Sequence, residues 1–172
     1  MDNIADLLSF RLENLVLPEK YSELWNNINY PIQVKKASNY RLLENEKEKI
    51  LDKLSKRAYF LSTVAEYFNA KNILEVGTAE GWQFFSFAEY CKNVGGKVWS
   101  CDIDDRRHKQ YIKEYEGIAN FSLGDSKKLA DHLNSQNIKI DLFYIDGSHE
   151  RNAVLRDIAN LKQFQSDSPI WV

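Results

Sequence analysis

The sequence predicts an α/β fold in which a parallel sheet is covered by helices on both faces. Two observations carry this. From Asn72 onward, short apolar runs of strand length alternate with longer amphipathic stretches of helix length. The runs are short and mostly apolar, as in strands buried on both sides. Ahead of Asn72 the pattern is helical, so the chain divides into an N-terminal helical segment over 1–69 and an alternating core over 70–172.

Residues 1–45 read as short helices and loops. Leu7, Leu8, Phe10, Leu12, Leu15, Val16 and Leu17 are apolar, and Pro18 and Pro31 interrupt any long helix. From about Glu44 to Phe68, apolar residues from Ile50 to Val64, Ala65 and Phe68 recur at steps of three and four, the period of a helix with one apolar face. The run from Asn69 to Asn72 breaks that helix. Asn72–Val76 is the first predicted strand and stops at Gly77. A helix over Gly81–Lys92 follows, with Phe84, Phe85, Phe87, Ala88 and Cys91 turned inward. Asn93 to Gly96 turns the chain into a second strand, Val98–Ile103. Asp105–Tyr115 is a short charged helix, and Ala119–Leu123 a third strand. Asp125 stands where it would cap a helix over Ser126–Gln136. Asp141–Ile145 is a fourth strand. A helix over Ser148–Phe164 sets Val154, Ile158 and Leu161 on one face, and Pro169–Val172 begins a fifth strand.

Composition narrows the function classes. At 172 residues the chain has the size of one domain. Its 44% hydrophobic and 13% aromatic content fills a core and excludes a disordered or low-complexity chain. No apolar run approaches the roughly 20 residues of a membrane helix. The opening MDNIADLLSF has no basic region ahead of its apolar residues, unlike a signal peptide, so a cytoplasmic location is expected. A net charge of −2 and a pI near 6.0 argue against a dedicated nucleic-acid binder. Cys91 and Cys101 are too few for a disulfide framework and match no zinc spacing. Cys101 lies in an apolar run and reads as a small buried side chain.

In a parallel sheet, ligands bind beyond the carboxyl ends of the strands, so each strand end is a place to look for chemistry. The first ends in Glu75-Val-Gly-Thr-Ala-Glu-Gly81, with Gly77 and Gly81 flanking a tight turn. Glycine there lets backbone approach a ligand closely. The spacing is not that of dinucleotide folds, because Ala79 stands in place of the middle glycine. The second strand ends at Asp102, 25 residues beyond Gly77. An acidic residue so placed can accept from both hydroxyls of a ribose diol. Asp104 and Asp105 fit helix capping better. The third strand ends in Leu123-Gly124-Asp125-Ser126, where Asp125 is set either to cap the helix or to accept from an adenine amino group. The fourth ends in Asp146-Gly147-Ser148-His149, which crowds a carboxylate, a hydroxyl and an imidazole into one strand-to-helix junction. His108 and His132 lie in charged helices and read as solvent-facing.

Together ILEVGTAEGW, VWSCDID, LGDS and DLFYIDGSHE resemble the strand ends of class I S-adenosylmethionine-dependent methyltransferases, over about residues 72–172. The IDGSH string, followed by Val154, Asp157 and Ile158, resembles a subgroup rich in small-molecule O-methyltransferases. That subgroup is related to the metal-dependent catechol and caffeoyl-coenzyme A enzymes. The resemblance implies a Rossmann-like core under an N-terminal helical lid, with S-adenosyl-L-methionine as cofactor and a small-molecule hydroxyl as methyl acceptor. Glu75 would orient the methionine amino group. Gly77 and Gly81 would pass backbone under the cofactor, with Thr78 and Ala79 in the same turn and Trp82 beside it. Asp102, with Ile103 following, would hold the ribose, and Gly124, Asp125 and Ser126 would meet the adenine. Asp146 matches the first carboxylate ligand of the metal, which would make Mg²⁺ a second cofactor. His149 falls where those enzymes carry a catalytic lysine. A His, with a pKa near 6.5, can take up a proton at neutral pH.

In that family a fifth strand is followed by an acidic loop, a helix and a strand hairpin, with the other metal ligands among them. On that comparison the chain is expected to be truncated at its C-terminus, with the family's C-terminal strands missing and the core incomplete. The early ending favours an alternative, a cofactor-binding module without methyl transfer. A nucleotide-cofactor oxidoreductase is a third reading, against which Ala79 argues. The expected partners are a small-molecule acceptor and a second copy joined through the N-terminal helices, with no nucleic acid and no membrane. Lys35, Lys36 and Tyr40 are lid candidates.

Overall fold

Apolar runs and caps decide where each element begins and stops. The computed structural model describes residues 57–172 apart from Tyr59, Thr63, His108 and the side chain of Gln110. The expected lid, with Lys35, Lys36 and Tyr40, and the N-terminal dimer helices before 57 lie outside the described residues. Phe60–Val172 forms one compact unit.

The unit opens with helical turns that end at Phe68. Asn69 takes a left-handed conformation with φ 54°, and Ala70 N–H reaches back to Ala65 O at 2.8 Å. The Asn69 N–H donates to Glu66 O at 3.0 Å, so two terminal carbonyls are satisfied as the helix stops. Then come β1 (Asn72–Val76), α1 (Trp82–Val94), β2 (Lys97–Asp102), α2 (Lys109–Glu114) and β3 (Ala119–Leu123). After β3 follow α3 (Ser126–Asn134), β4 (Ile140–Ile145), α4 (Arg151–Leu161), a 3₁₀ turn and β5 (Gln165–Trp171).

The strands form one parallel sheet in the order β3-β2-β1-β4-β5. Strands β1 to β3 step outward one way, and the chain then returns to lay β4 on the other side of β1. The order reverses between β1 and β4, and a crevice opens there at the strands' carboxyl ends. One core joins Leu74, Val76, Trp99, Cys101 and Phe143 to Leu129 and Leu133 of α3 and to Leu161. Helix α1 packs along β1 and β2, with Phe84, Phe85, Phe87, Ala88 and Cys91 buried as expected. Each large apolar side chain so buried is worth roughly 1.5–3 kcal/mol. Phe85 stacks against Tyr115, whose hydroxyl donates to the buried Glu89 at 2.8 Å.

Three elements start three or more residues away from the sequence reading. Helix α2 starts at Lys109 rather than Asp105, because Asp105 accepts from Arg107 backbone N–H at 3.3 Å and from its Nε and an Nη at 2.8 Å. That local side-chain bonding competes with helix formation. Helix α4 starts at Arg151 rather than Ser148. Strand β5 starts at Gln165 rather than Pro169. Its pairing jumps from Ile140↔Gln165 to Leu142↔Ile170, leaving Pro169 in a bulge where its missing N–H breaks no ladder bond.

Candidate functional site

The carboxyl ends of β1 to β4 open on a cavity of about 450 Å³. Its walls include Gly77, Ala79, Asp102, Ile103, Gly124, Asp125, Ser126 and Asp146, all singled out from the sequence. Glu75, Thr78, Gly81, Trp82 and His149 are not among the lining residues.

The β1–α1 turn forms one wall. Gly77, Ala79 and Gly81 all have positive φ, at 93°, 47° and 92°. A Cβ on Gly77 would stand 2.4 Å from Asp146 O, so this glycine is required first by the approach of the β4 loop. A Cβ on Gly81 would run into the ring of Phe85 at 2.6 Å. Gly81 caps α1 in the left-handed region that an L-residue avoids. Glu75 is buried within the sheet and accepts from Ser100 Oγ at 3.0 Å, and Ser100 Oγ lies 2.6 Å from Thr78 Oγ1. Trp82, half-buried, opens α1, and its carbonyl accepts from Ser86 Oγ at 2.7 Å.

Asp102, at the end of β2, uses Oδ2 to accept from Ala79 N–H at 2.8 Å and Oδ1 to accept from Asp104 N–H at 3.2 Å. A carboxylate has about four lone-pair sites, so capacity remains on both oxygens. Ile103 beside it is 83% exposed, a large apolar side chain standing open at the cavity wall. Asp125 caps α3, with Oδ1 accepting from Lys128 N–H at 3.0 Å. The buried Ser126 hydroxyl accepts from Asn160 Nδ2 at 2.9 Å, which ties α4 to the start of α3.

On the β4 side, Asp146 Oδ2 accepts from the Tyr144 hydroxyl at 2.8 Å, and Asp146 N–H donates to Val76 O at 2.8 Å. Ser148, His149 and Glu150 are exposed. The donor set around Asp146 does not suit a divalent ion. Among the described residues no cluster of three or more His, Cys, Asp or Glu is placed to hold a metal, whereas Mg²⁺ needs a near-octahedral set of oxygens.

The structure also brings in residues the sequence reading missed. Arg106, Arg156 and Asp157 line the cavity, the last two because one face of α4 turns toward it. Arg106 is held at 3.3 Å from Glu80 and 3.8 Å from Asp104. Gln83 is buried at the second position of α1 with neither amide atom hydrogen-bonded. A polar residue inside the aromatic run WQFF is the signal for it. Cys101 forms part of the cavity wall, and burial raises its thiol pKa far above the ordinary range. Cys91 is pushed up to about 12 by burial alone. Neither thiol is a nucleophile at neutral pH.

The family profile described as a methyltransferase domain matches residues 74–172, more than half of the chain. The chain belongs to the methyltransferase domain family. No curated protein matches it. Among solved structures, this methyltransferase domain is similar to the SAH-bound methyltransferase PaMTH1 of Podospora anserina, at TM-score 0.56 and 15% identity, covering 98% of this chain and 68% of that one. It is similar to an O-methyltransferase from Bacillus cereus in complex with SAH, at 0.54 and 15%, covering 90% and 65%. It is similar to cofactor-bound Rv0187 from MTB, at 0.55 and 17%, covering 99% and 72%. These likenesses show the fold, a Rossmann-like α/β sheet. The methyltransferase domain spans about two thirds of the length of those structures. No helix among its described residues is long and apolar enough to cross a membrane.

Proposed function

We propose that this methyltransferase domain moves the methyl group of S-adenosylmethionine to a hydroxyl oxygen of a small molecule. The observation that carries the reading is the cavity of about 450 Å³, walled by Asp102 at one strand end and Asp125–Ser126 at the next. Its size suits a small ligand.

The cofactor would lie across the carboxyl ends of the strands. Asp102 accepts from the ribose hydroxyls while keeping its bond to Ala79. Ile103 covers one face of the adenine, and an exposed apolar side chain there gains from being covered. Gly124, Asp125 and Ser126 border the adenine edge. The amino-acid end lies toward Glu75 and the unsatisfied Gln83 amide, at the start of α1 where the helix dipole favours a carboxylate. Methyl transfer is an in-line displacement at the sulfonium carbon, and the acceptor oxygen must be brought to about 3 Å from it. Asp146 orients the acceptor hydroxyl. His149 takes its proton as general base, moving toward the cavity from the exposed loop.

Calorimetric titration of S-adenosylhomocysteine (SAH) into the wild-type chain, Asp102→Ala and Asp102→Asn tests the reading. The product is the better probe because it cannot turn over. Micromolar binding is expected in the wild type. Asp102→Ala, which loses both the ribose acceptor and the Ala79 anchor, should weaken it about 100-fold or more. Asp102→Asn keeps one acceptor for Ala79 and should fall between. A folded wild type that does not bind SAH would overturn the reading. The exposed position of His149 favours one alternative, a module that binds cofactor without turning it over, and methyl transfer to any hydroxyl in an acceptor panel would exclude it.

A further inference from the structure

Ser100 has no place in the cofactor contacts above, yet it is the hinge pin of a buried relay beneath them. It sits in the middle of β2 at 0% exposure, paired in register with Glu75 of β1. Its hydroxyl donates to Glu75 Oε2 at 3.0 Å and lies 2.6 Å from Thr78 Oγ1. A serine hydroxyl carries a single proton. With that proton on Glu75, Thr78 is the donor in the 2.6 Å contact, so the relay runs in one direction, Thr78 to Ser100 to Glu75. Thr78 lies between Gly77 and Ala79, both at positive φ. The relay thus pins the residue next to Ala79, a non-glycine residue whose left-handed conformation does not persist unaided. Asp102, two residues along the same strand, pins Ala79 itself.

We infer that Ser100 is a positioning residue: through Thr78 it presets the β1–α1 turn for the cofactor, and through Glu75 it sets the carboxylate nearest the amino-acid end. The inference rests on the proposed cofactor reading. A binding-competent turn populated only in part raises the apparent Kd by the inverse of that fraction. Loss of the relay must therefore appear twice: a tenfold rise in Kd requires the competent turn to fall to about a tenth of the unliganded molecules, and amides of a turn that is mostly open lose nearly all their protection.

The test uses the full chain, wild type and Ser100→Ala, with amide hydrogen exchange and SAH titration. In the unliganded wild type, the Ala79 N–H on Asp102 and the Gly81 N–H on Thr78 O at 2.8 Å should be protected. In Ser100→Ala their protection should be almost abolished, with Leu74 and Phe143 in mid-sheet unchanged, and the Kd for SAH should rise about tenfold. Added SAH should restore the protection. Unchanged affinity overturns the inference. So does weaker binding with the turn still protected, or an equal loss at Leu74 and Phe143, which would mean general destabilisation. A folded wild type that fails to bind SAH is told apart from these at the first titration; it overturns the cofactor reading and this inference with it.

Discussion

The two sides of the cavity mouth are built on different terms. On the β1–β3 side the turns are tied down by the protein's own bonds. Asp102 holds Ala79, Asp125 caps α3, and Ser100 joins Thr78 to Glu75. On the β4 side Asp146 is anchored by Tyr144 and by Val76 O, and beyond it the Ser148 hydroxyl accepts from Glu150 N–H at 3.3 Å within the loop itself. Ser148, His149 and Glu150 are exposed, and Glu150, at the N-cap position of α4, makes no side-chain capping bond. The difference separates two jobs. A preset surface gives affinity without an ordering cost at the moment of binding. A loop that few bonds constrain can be re-aimed by the molecule that docks against it. On the proposed reading, substitutions on the first side alter fold and cofactor affinity together, and those on the second alter turnover alone.

The largest expected effect lies on the loosely held side. His149→Ala should lower kcat about 10²- to 10⁴-fold, the range of a lost general base. Its SAH affinity should match the wild type, and its stability should stay within about 0.5 kcal/mol, because the side chain is exposed. A variant with full kcat would remove the catalytic half of the comparison. Gly77→Ala comes next. Its Cβ would meet Asp146 O at 2.4 Å from a φ of 93°, so urea unfolding should show a loss on the order of 3 kcal/mol. Because this glycine is where the two sides touch, it should be the one turn substitution that disturbs both.

Smaller effects sharpen the preset side. Asp125→Ala should cost about 1 kcal/mol in urea unfolding through the lost cap on α3, and Asp125→Asn much less, since Asn caps as well. If both variants weaken SAH binding equally, the carboxylate serves the ligand as well as the helix. Asp105→Asn should have the smallest effect. The hydrogen bond from the Arg107 side chain holds the Asp105 carboxyl below its usual value of 3.8. A pKa lowered by folding means the contribution is present above pH 3.8 and is lost as the pH falls through the lower folded value. Asp105 is partly exposed, so solvent screens the pair and its worth stays under about 1 kcal/mol. The stability difference between wild type and variant should therefore be small at pH 7 and vanish in strong acid.

Much of this division could be read from residue order alone, and its physical reason shows where reading stopped. The strand cores were legible because a strand buried on both faces must be apolar throughout, as Asn72–Val76 and Ile140–Ile145 nearly are. The Asp125 cap was legible because capping is decided within three residues. The start of α2 was not, because Asp105 spends its carboxylate on Arg107 two residues away. The bulge that takes Pro169 out of the β5 ladder depends on a partner strand 25 or more residues distant.

The sequence by itself determined the parallel α/β sheet, the strand ends that carry Asp102, Asp125 and Asp146, and the glycines that bound the first turn. Those follow from local polarity, periodicity and backbone freedom, which act over a few residues. Only the tertiary structure decided what the side chains at those ends do. It turned Glu75 into the sheet against Ser100, gave half of Asp102 to Ala79, required Gly77 for the passage of the β4 loop, and set α4's Arg156 and Asp157 on the cavity wall. Each depends on which strand lies beside which, and register between strands is settled by packing across the whole sheet.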